Sequence, residues 1–153
     1  MTRRVDFMLG GEDFLKMTAA HVMQTEVYYF SEDAAIVDII AAITMGGFGS
    51  VPITKAGDIV VGLVSEYDIL NAIFSGKNLE TLSAKDIMTK GAISVLETTS
   101  VNEIIATLQS KHLIRVPVVD ENEVLIGIVA RIDILMGYLR SVESPPKMAF
   151  NLL

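Results

Sequence analysis

Gly62–Leu63–Val64–Ser65–Glu66–Tyr67–Asp68–Ile69–Leu70 returns 65 positions later, from 62 to 127, as Gly127–Ile128–Val129–Ala130–Arg131–Ile132–Asp133–Ile134–Leu135. Working outward at the same displacement, Val51–Pro52 falls on Val116–Pro117 and Ile39–Ile40–Ala41 on Ile104–Ile105–Ala106. Met23 falls on Met88 and Ala19 on Ala84, without a gap. The chain is two copies of one unit. A domain of about 60 residues buries only about 60% of the surface its unfolded chain exposes. The copies are therefore expected to pack on each other, which leaves room for a ligand between them.

The second copy is the easier to read. After Ser83–Ala84–Lys85–Asp86–Ile87–Met88 comes an extended piece, Ile93–Ser94–Val95, and then Ser100–Val101–Asn102–Glu103 with the spacing of a helix capping box. Val101, Ile104, Ile105 and Leu108 recur at helical spacing behind it. Val116–Pro117–Val118–Val119 and Val124–Leu125–Ile126–Gly127–Ile128–Val129, joined by Asp120–Glu121–Asn122, predict a β-hairpin. Helical spacing resumes from Arg131 to about Leu139. The first copy repeats this with strands at 51–54 and 59–64, a turn at Lys55–Ala56–Gly57–Asp58 and a helix from about Glu66.

The expected fold is therefore α/β (α+β), tandem β-α-β-β-α repeats packed with pseudo-two-fold symmetry. The expected division is an N-terminal extension at 1–16, repeats at 17–76 and 83–140, a linker at 77–82 and a tail at 141–153. The extension is expected to add a helix or a dimer arm. In the tail, Ser144–Pro145–Pro146 stops any helix.

The 153 residues are 51% hydrophobic and 20% charged, the balance of a globular chain with one shared core. A mean hydropathy of +0.48 raises the question of a membrane span. Asp38 and Glu103 break the apolar runs well short of the ~18 to 20 residues a span needs. Arg3 and Arg4 are followed by Asp6, Glu12 and Asp13 with no long apolar stretch, which reads against a secretory signal. The absence of cysteine removes disulfide and thiolate chemistry and fits a cytoplasmic protein. A net charge of −7 argues against nucleic-acid binding, which draws on clustered Lys and Arg.

No catalytic constellation stands out. His21 and His112 occupy different repeat positions and lack ligand-spaced partners, so no metal site is expected. Gly46–Gly47–Phe48–Gly49 reads as a helix stop, since no Lys–Ser/Thr follows it. Asp120–Glu121–Asn122–Glu123 reads as a solvated hairpin tip.

A duplicated β-α-β-β-α unit with Met88–Thr89 near its start, Val116–Pro117–Val118–Val119–Asp120 in its middle and Gly127–Ile128–Val129 before Asp133–Ile134–Leu135 resembles the CBS domain pair, or Bateman module. Met23, Val51–Pro52 and Gly62 to Leu70 carry the same resemblance in the first copy, and the likeness covers about 17–140. It implies a non-catalytic, regulatory sensor of an adenosine-containing small molecule, with no cofactor required. In that family a cleft joins the terminal Asp of one unit to the early strand and apolar–Pro strand of the other. The resemblance thus implies a main cleft of Leu63, Ser65, Asp68, Thr89, Ala92, Ile93, Ile114 and Arg115.

Asp68 there suits both ribose hydroxyls. Ser65 and the first-turn N–H groups suit a phosphate, with Arg115 completing the anion site. Leu63, Ala92 and Ile93 suit an adenine. The second cleft would join Asp133 to Gln24, Val27, Tyr28, Gly49 and Ser50. It has Ala130 where the first has Ser65 and no arginine before Val51, so it is expected to be weaker, of different ligand, or empty. Arg131 is its candidate replacement cation, and Tyr28 is a candidate platform for a base.

Other readings stand beside these. Ser65-x-x-Asp68 is also a helix-capping pattern, and a lone Arg115 also suits a solvated strand start. The resemblance implies a homodimer. The length is expected to leave no separate effector domain, so a signal would pass to an unidentified effector protein or through self-association. ATP, ADP and AMP are not separated by the sequence. Arg115 disfavours the sulfonium of S-adenosylmethionine, which stays an alternative beside a dimeric scaffold that binds no nucleotide.

Overall fold

The computed structural model describes residues 11–91 and 93–142. Two short helices come first, α1 (Gly11–Lys16) in the extension and α2 (Ala19–Val22) at the start of the first repeat. That repeat continues with β1 (Phe30–Ser31), α3 (Ile36–Gly46), β2 (Ser50–Lys55), β3 (Ile59–Ser65) and α4 (Glu66–Phe74). A 3₁₀ turn at Leu79–Thr81 links the copies, and α5 (Ala84–Ile87) and β4 (Thr89–Lys90) open the second repeat. There the same order runs through β5 (Val95–Leu96), α6 (Val101–Ser110), β6 (Arg115–Val119), β7 (Leu125–Ala130) and α7 (Arg131–Ser141).

Local chemistry sets most of these boundaries. The Ser100 hydroxyl accepts the Glu103 amide at 3.2 Å and starts α6 at the predicted place. Gly47, at φ 67°, ends α3 in the left-handed conformation that favours glycine. The extended piece predicted at 93–95 is shorter than expected and shifted to Val95–Leu96, while Thr89–Lys90 forms a separate strand. The predicted stop at Ser144–Pro145–Pro146 lies outside the described residues.

Each repeat builds a small sheet in which a parallel edge strand joins an antiparallel hairpin. The orders are β1-β2-β3-β4 and β5-β6-β7. The strand capping the first sheet, β4, belongs to the leading segment of the second repeat, and its Thr89 pairs with Leu63. In the second sheet Gln24 does the same from the other direction. It pairs with Ile128 through two backbone hydrogen bonds of 2.9 Å. The repeats therefore exchange their leading segments. Thr18 pairs with Ser100 as Ser83 does with Ala35, and Ile59 meets Val124, its own counterpart, which places that pair on the pseudo-two-fold axis.

The exchange reaches the cores. The second core gathers Val101, Ile104, Leu108, Val116, Val118 and Val129, and takes Phe14 from the extension and Met17, Ala19, Val22 and Met23 from the leading segment of the first repeat. The first core gathers Ile36, Ile39, Ile43, Val51, Ile53 and Val64 and takes Ala84, with Leu82, Ile87 and Met88 packed against it. Close packing at the crossings requires glycine. A Cβ on Gly62 would stand 2.8 Å from both Met88 Sδ and Thr89 O, and one on Gly127 2.7 Å from Met23 Sδ and 2.9 Å from Gln24 O. The helix expected in the extension is α1, whose Phe14 meets Tyr138 of α7 edge-on at 5.5 Å.

Candidate functional site

The β3–α4 junction places Ser65 and Asp68 at the mouth of a cleft of about 720 Å³ between the repeats. Ser65 is the N-cap of α4, and its hydroxyl accepts the Asp68 amide at 3.1 Å. In return Asp68 Oδ2 accepts the Ser65 amide at 2.9 Å and the Ser65 hydroxyl at 3.0 Å. The capping reading of the motif is realised by one of the two carboxylate oxygens. Oδ2 caps the helix, while among the described residues Oδ1 has only a long contact, 3.4 Å from the Thr89 hydroxyl of β4. Asp68 and Thr89 both line the cleft, and a carboxylate oxygen is an acceptor that a vicinal diol can use.

The α4 N-terminus is less available to an anion than its sequence suggests. The Glu66 amide donates to Gly49 O at 2.9 Å and the Asp68 amide is held by Ser65. The Ser65 hydroxyl proton is directed at Asp68. The same cleft is also lined by Arg115, which begins β6, and by Lys111 and His112, which occupy the turn after α6. Lys111 as a cleft residue escaped the sequence reading, which weighed His112 only as a metal ligand, although their position just ahead of Ile114–Arg115 was a usable signal. Leu63, Ile93 and Ile114 add apolar surface to the same cleft. Ala92 lies outside the described residues.

Arg115 is held in an unusual way. Its Nε is shut off from water without a hydrogen-bond partner among the described residues. Its guanidinium lies 5.3 Å from the centre of the Phe48 ring. Removal from water pulls its pKa below the ordinary arginine value, and the Asp133 carboxylate opposes that shift. The group keeps its charge, since arginine remains protonated in proteins.

The second cleft, about 380 Å³, brings together Gln24, Val27, Tyr28 and Asp133, together with Phe48 and Arg115. Three sequence expectations change here. Gly49 and Ser50 line the larger cleft, because Ser50 opens β2 opposite Ser65 and Gly49 O accepts the Glu66 amide of α4. Arg131 is not the replacement cation. Its Nε donates to Leu113 O at 3.1 Å and its side chain borders a groove between α6 and α7. Nor is this cleft without an arginine, because Arg115 reaches both. Tyr28 stacks on Phe48, with centroids 5.5 Å apart and planes at 26°.

Asp133 differs from its counterpart Asp68. It is buried, Oδ2 accepts the Ala130 amide at 2.8 Å, and Oδ1 accepts the Gln24 side-chain amide at 2.9 Å. Capping thus accounts for an acid at this position even without the serine. A diol entering here would have to displace Gln24. Among the described residues no group of three or more His, Cys, Asp or Glu side chains is placed to hold a metal ion. His21 instead serves α2, its Nδ1 accepting the Thr18 amide at 3.0 Å. No helix among those residues is long and apolar enough to cross a membrane.

Two interlocked β-α-β-β-α repeats with clefts between them define a tandem-repeat module. The CBS domain family model matches residues 19–75 and again 84–140, and the chain belongs to that family as a CBS domain pair. An uncharacterised protein of Methanopyrus kandleri is 34% identical over 120 residues, 78% of this chain and 61% of the relative. The chain spans only 25% of two further relatives, from Methanocaldococcus jannaschii and Methanosalsum zhilinae. A CBS domain pair solved with 5′-methylthioadenosine and S-adenosyl-L-methionine superposes with a TM-score of 0.71 at 21% identity, covering 78% of this chain and 97% of that one. The CBS-pair protein CBSX2, of Arabidopsis thaliana, solved with AMP, gives 0.71 at 22% identity over 80% and 96%.

Proposed function

We propose that the chain is a regulatory module that binds an adenine nucleotide in the larger cleft and passes its occupancy to a partner. The observation that carries this reading is the meeting of Asp68 Oδ1, Thr89 and Arg115 around one cleft between the repeats. Asp68 takes the ribose hydroxyls, Arg115 the phosphate, and Leu63, Ile93 and Ile114 the base. Lys111, on the Arg115 side, adds positive potential toward the same anion. The AMP complex of CBSX2 supports an adenosine-containing ligand. The 5′-methylthioadenosine and S-adenosyl-L-methionine complex supports the same nucleoside, but a cationic wall disfavours a sulfonium. The binding is regulatory and the module performs no chemistry of its own.

The module is a cytoplasmic homodimer in this proposal. Helices α4 and α7 expose equivalent apolar side chains, Tyr67 with Ile132, Leu70 with Leu135 and Phe74 with Leu139. Two such faces related by internal symmetry suit a self-complementary interface. A ligand that prefers one arrangement of the repeats would shift that interface, or the surface offered to an effector protein, by no more than its differential affinity.

The deciding experiment is calorimetric titration of AMP, ADP, ATP and S-adenosylmethionine into ligand-stripped protein, with Asp68→Ala alongside. One site per chain for a nucleotide, lost in a folded Asp68→Ala protein, is the expected result. No heat and no thermal shift from any of the four would overturn the sensor reading in favour of a scaffold.

A further inference from the structure

Arg115 is common to both clefts. It pairs with Ala130 across β6 and β7, on the wall that separates them, and both cavities reach it. Its guanidinium lies over Phe48, which stacks in turn on Tyr28. Phe48 and Tyr28 line the smaller cleft. The Phe48 ring packs over Gly46, in the space that a Cβ there would need. A cation held over an aromatic face keeps its N–H donors free. The stack can therefore orient Arg115 without using the groups that would bind an anion.

We propose that the Tyr28–Phe48–Arg115 stack couples the two clefts, with Phe48 a positioning residue that aims the Arg115 guanidinium at an anionic ligand group in the larger one. The proposal rests on the nucleotide reading of that cleft. Asp133, buried on the smaller side and bonded to Gln24 and Ala130, is the opposing anion that draws on the same cation. Whatever fills the smaller cleft moves the stack and alters phosphate affinity in the larger, and linkage makes the effect reciprocal.

The test is calorimetric titration of AMP and adenosine into wild-type protein, Phe48→Leu, Arg115→Ala and the double variant. Phe48→Leu should weaken AMP by about two- to thirty-fold, the span of one cation–π contact, and leave adenosine unchanged. The double variant should lose no more than Arg115→Ala alone. Gly46→Ala dislodges the ring without removing it and should reproduce the pattern if Phe48→Leu folds poorly. Equal losses for AMP and adenosine, or a further loss in the double variant, would overturn the coupling. A second readout needs no nucleotide. The Arg115 Nε–H resonance should move when sodium phosphate is added to wild-type protein, and should move less in Phe48→Leu. That result without AMP binding would sink the nucleotide reading and keep the coupling. Identical behaviour in the two proteins would remove the coupling whatever AMP does.

Discussion

A carboxylate at the third position of a helix can do two jobs at once, and Asp68 and Asp133 divide them differently. Asp68 caps α4 with one oxygen and keeps the other within a long 3.4 Å contact of Thr89, while Asp133 has both oxygens engaged. The chemical cause is the residue facing each acid, a short hydroxyl at Thr89 against the longer, two-donor amide of Gln24. Arg115→Ala should weaken AMP by about 10- to 150-fold, the value of a charge-assisted hydrogen bond of about 1.5–3 kcal/mol, and leave adenosine nearly unchanged. Equal losses for the two ligands would contradict the phosphate role. Asp86 offers a residue-scale test on pH. Its carboxylate accepts the Ser83 amide at 2.8 Å and hydroxyl at 3.0 Å, which hold its pKa below the ordinary 3.8. A depressed carboxylate contributes stability above its unfolded pKa and loses it as pH falls through the folded one. A carboxyl titration by NMR should therefore place the Asp86 midpoint below 3.8, and a midpoint at or above that value refutes the contact.

The elements differ chiefly at their junctions. The β3–α4 and β7–α7 junctions are superposable in sequence, but Ser65 caps the first helix and Ala130 stands in the same place at the second. Ala130→Ser should supply the missing acceptor for the Asp133 amide and raise stability by up to about 1 kcal/mol, while Ser65→Ala should cost about 0.5–2 kcal/mol. Urea melts of both variants check the pair, and opposite signs are the expected outcome. Gly62 and Gly127 mark the other sensitive junctions. Either one changed to alanine should lower the melting temperature, because thioether and carbonyl atoms stand under 3.0 Å from the new Cβ. Much of this was legible beforehand. The capping serine before α6, the hairpins and the helix from Glu66 are local effects of residue type, so a linear reading finds them. The strand at Thr89–Lys90 was not, because two residues carry no periodicity and their only partners, Leu63 and Gly62, are distant in the chain.

At the scale of the molecule the exchange of leading segments makes the two repeats one cooperative body. Removing residues 1–24 should strip Phe14, Met17, Ala19, Val22 and Met23 from the second core and unfold it. Dispersed amide resonances from 95–140 in such a truncation would refute the interlocking. Leu70→Glu with Leu135→Glu should convert the proposed dimer to a monomer in sedimentation, leaving the folded spectrum intact. The sequence by itself determined that there are two units, the order of elements within each and the acids that end them, because a duplicated pattern and local propensities survive in one dimension. Only the tertiary structure decided which repeat each leading segment completes. It also turned Arg131 away from the smaller cleft, placed Gly49 and Ser50 in the larger one and gave Arg115 to both. Those outcomes depend on side-chain direction and on contacts between residues far apart in the chain, which a linear pattern does not carry.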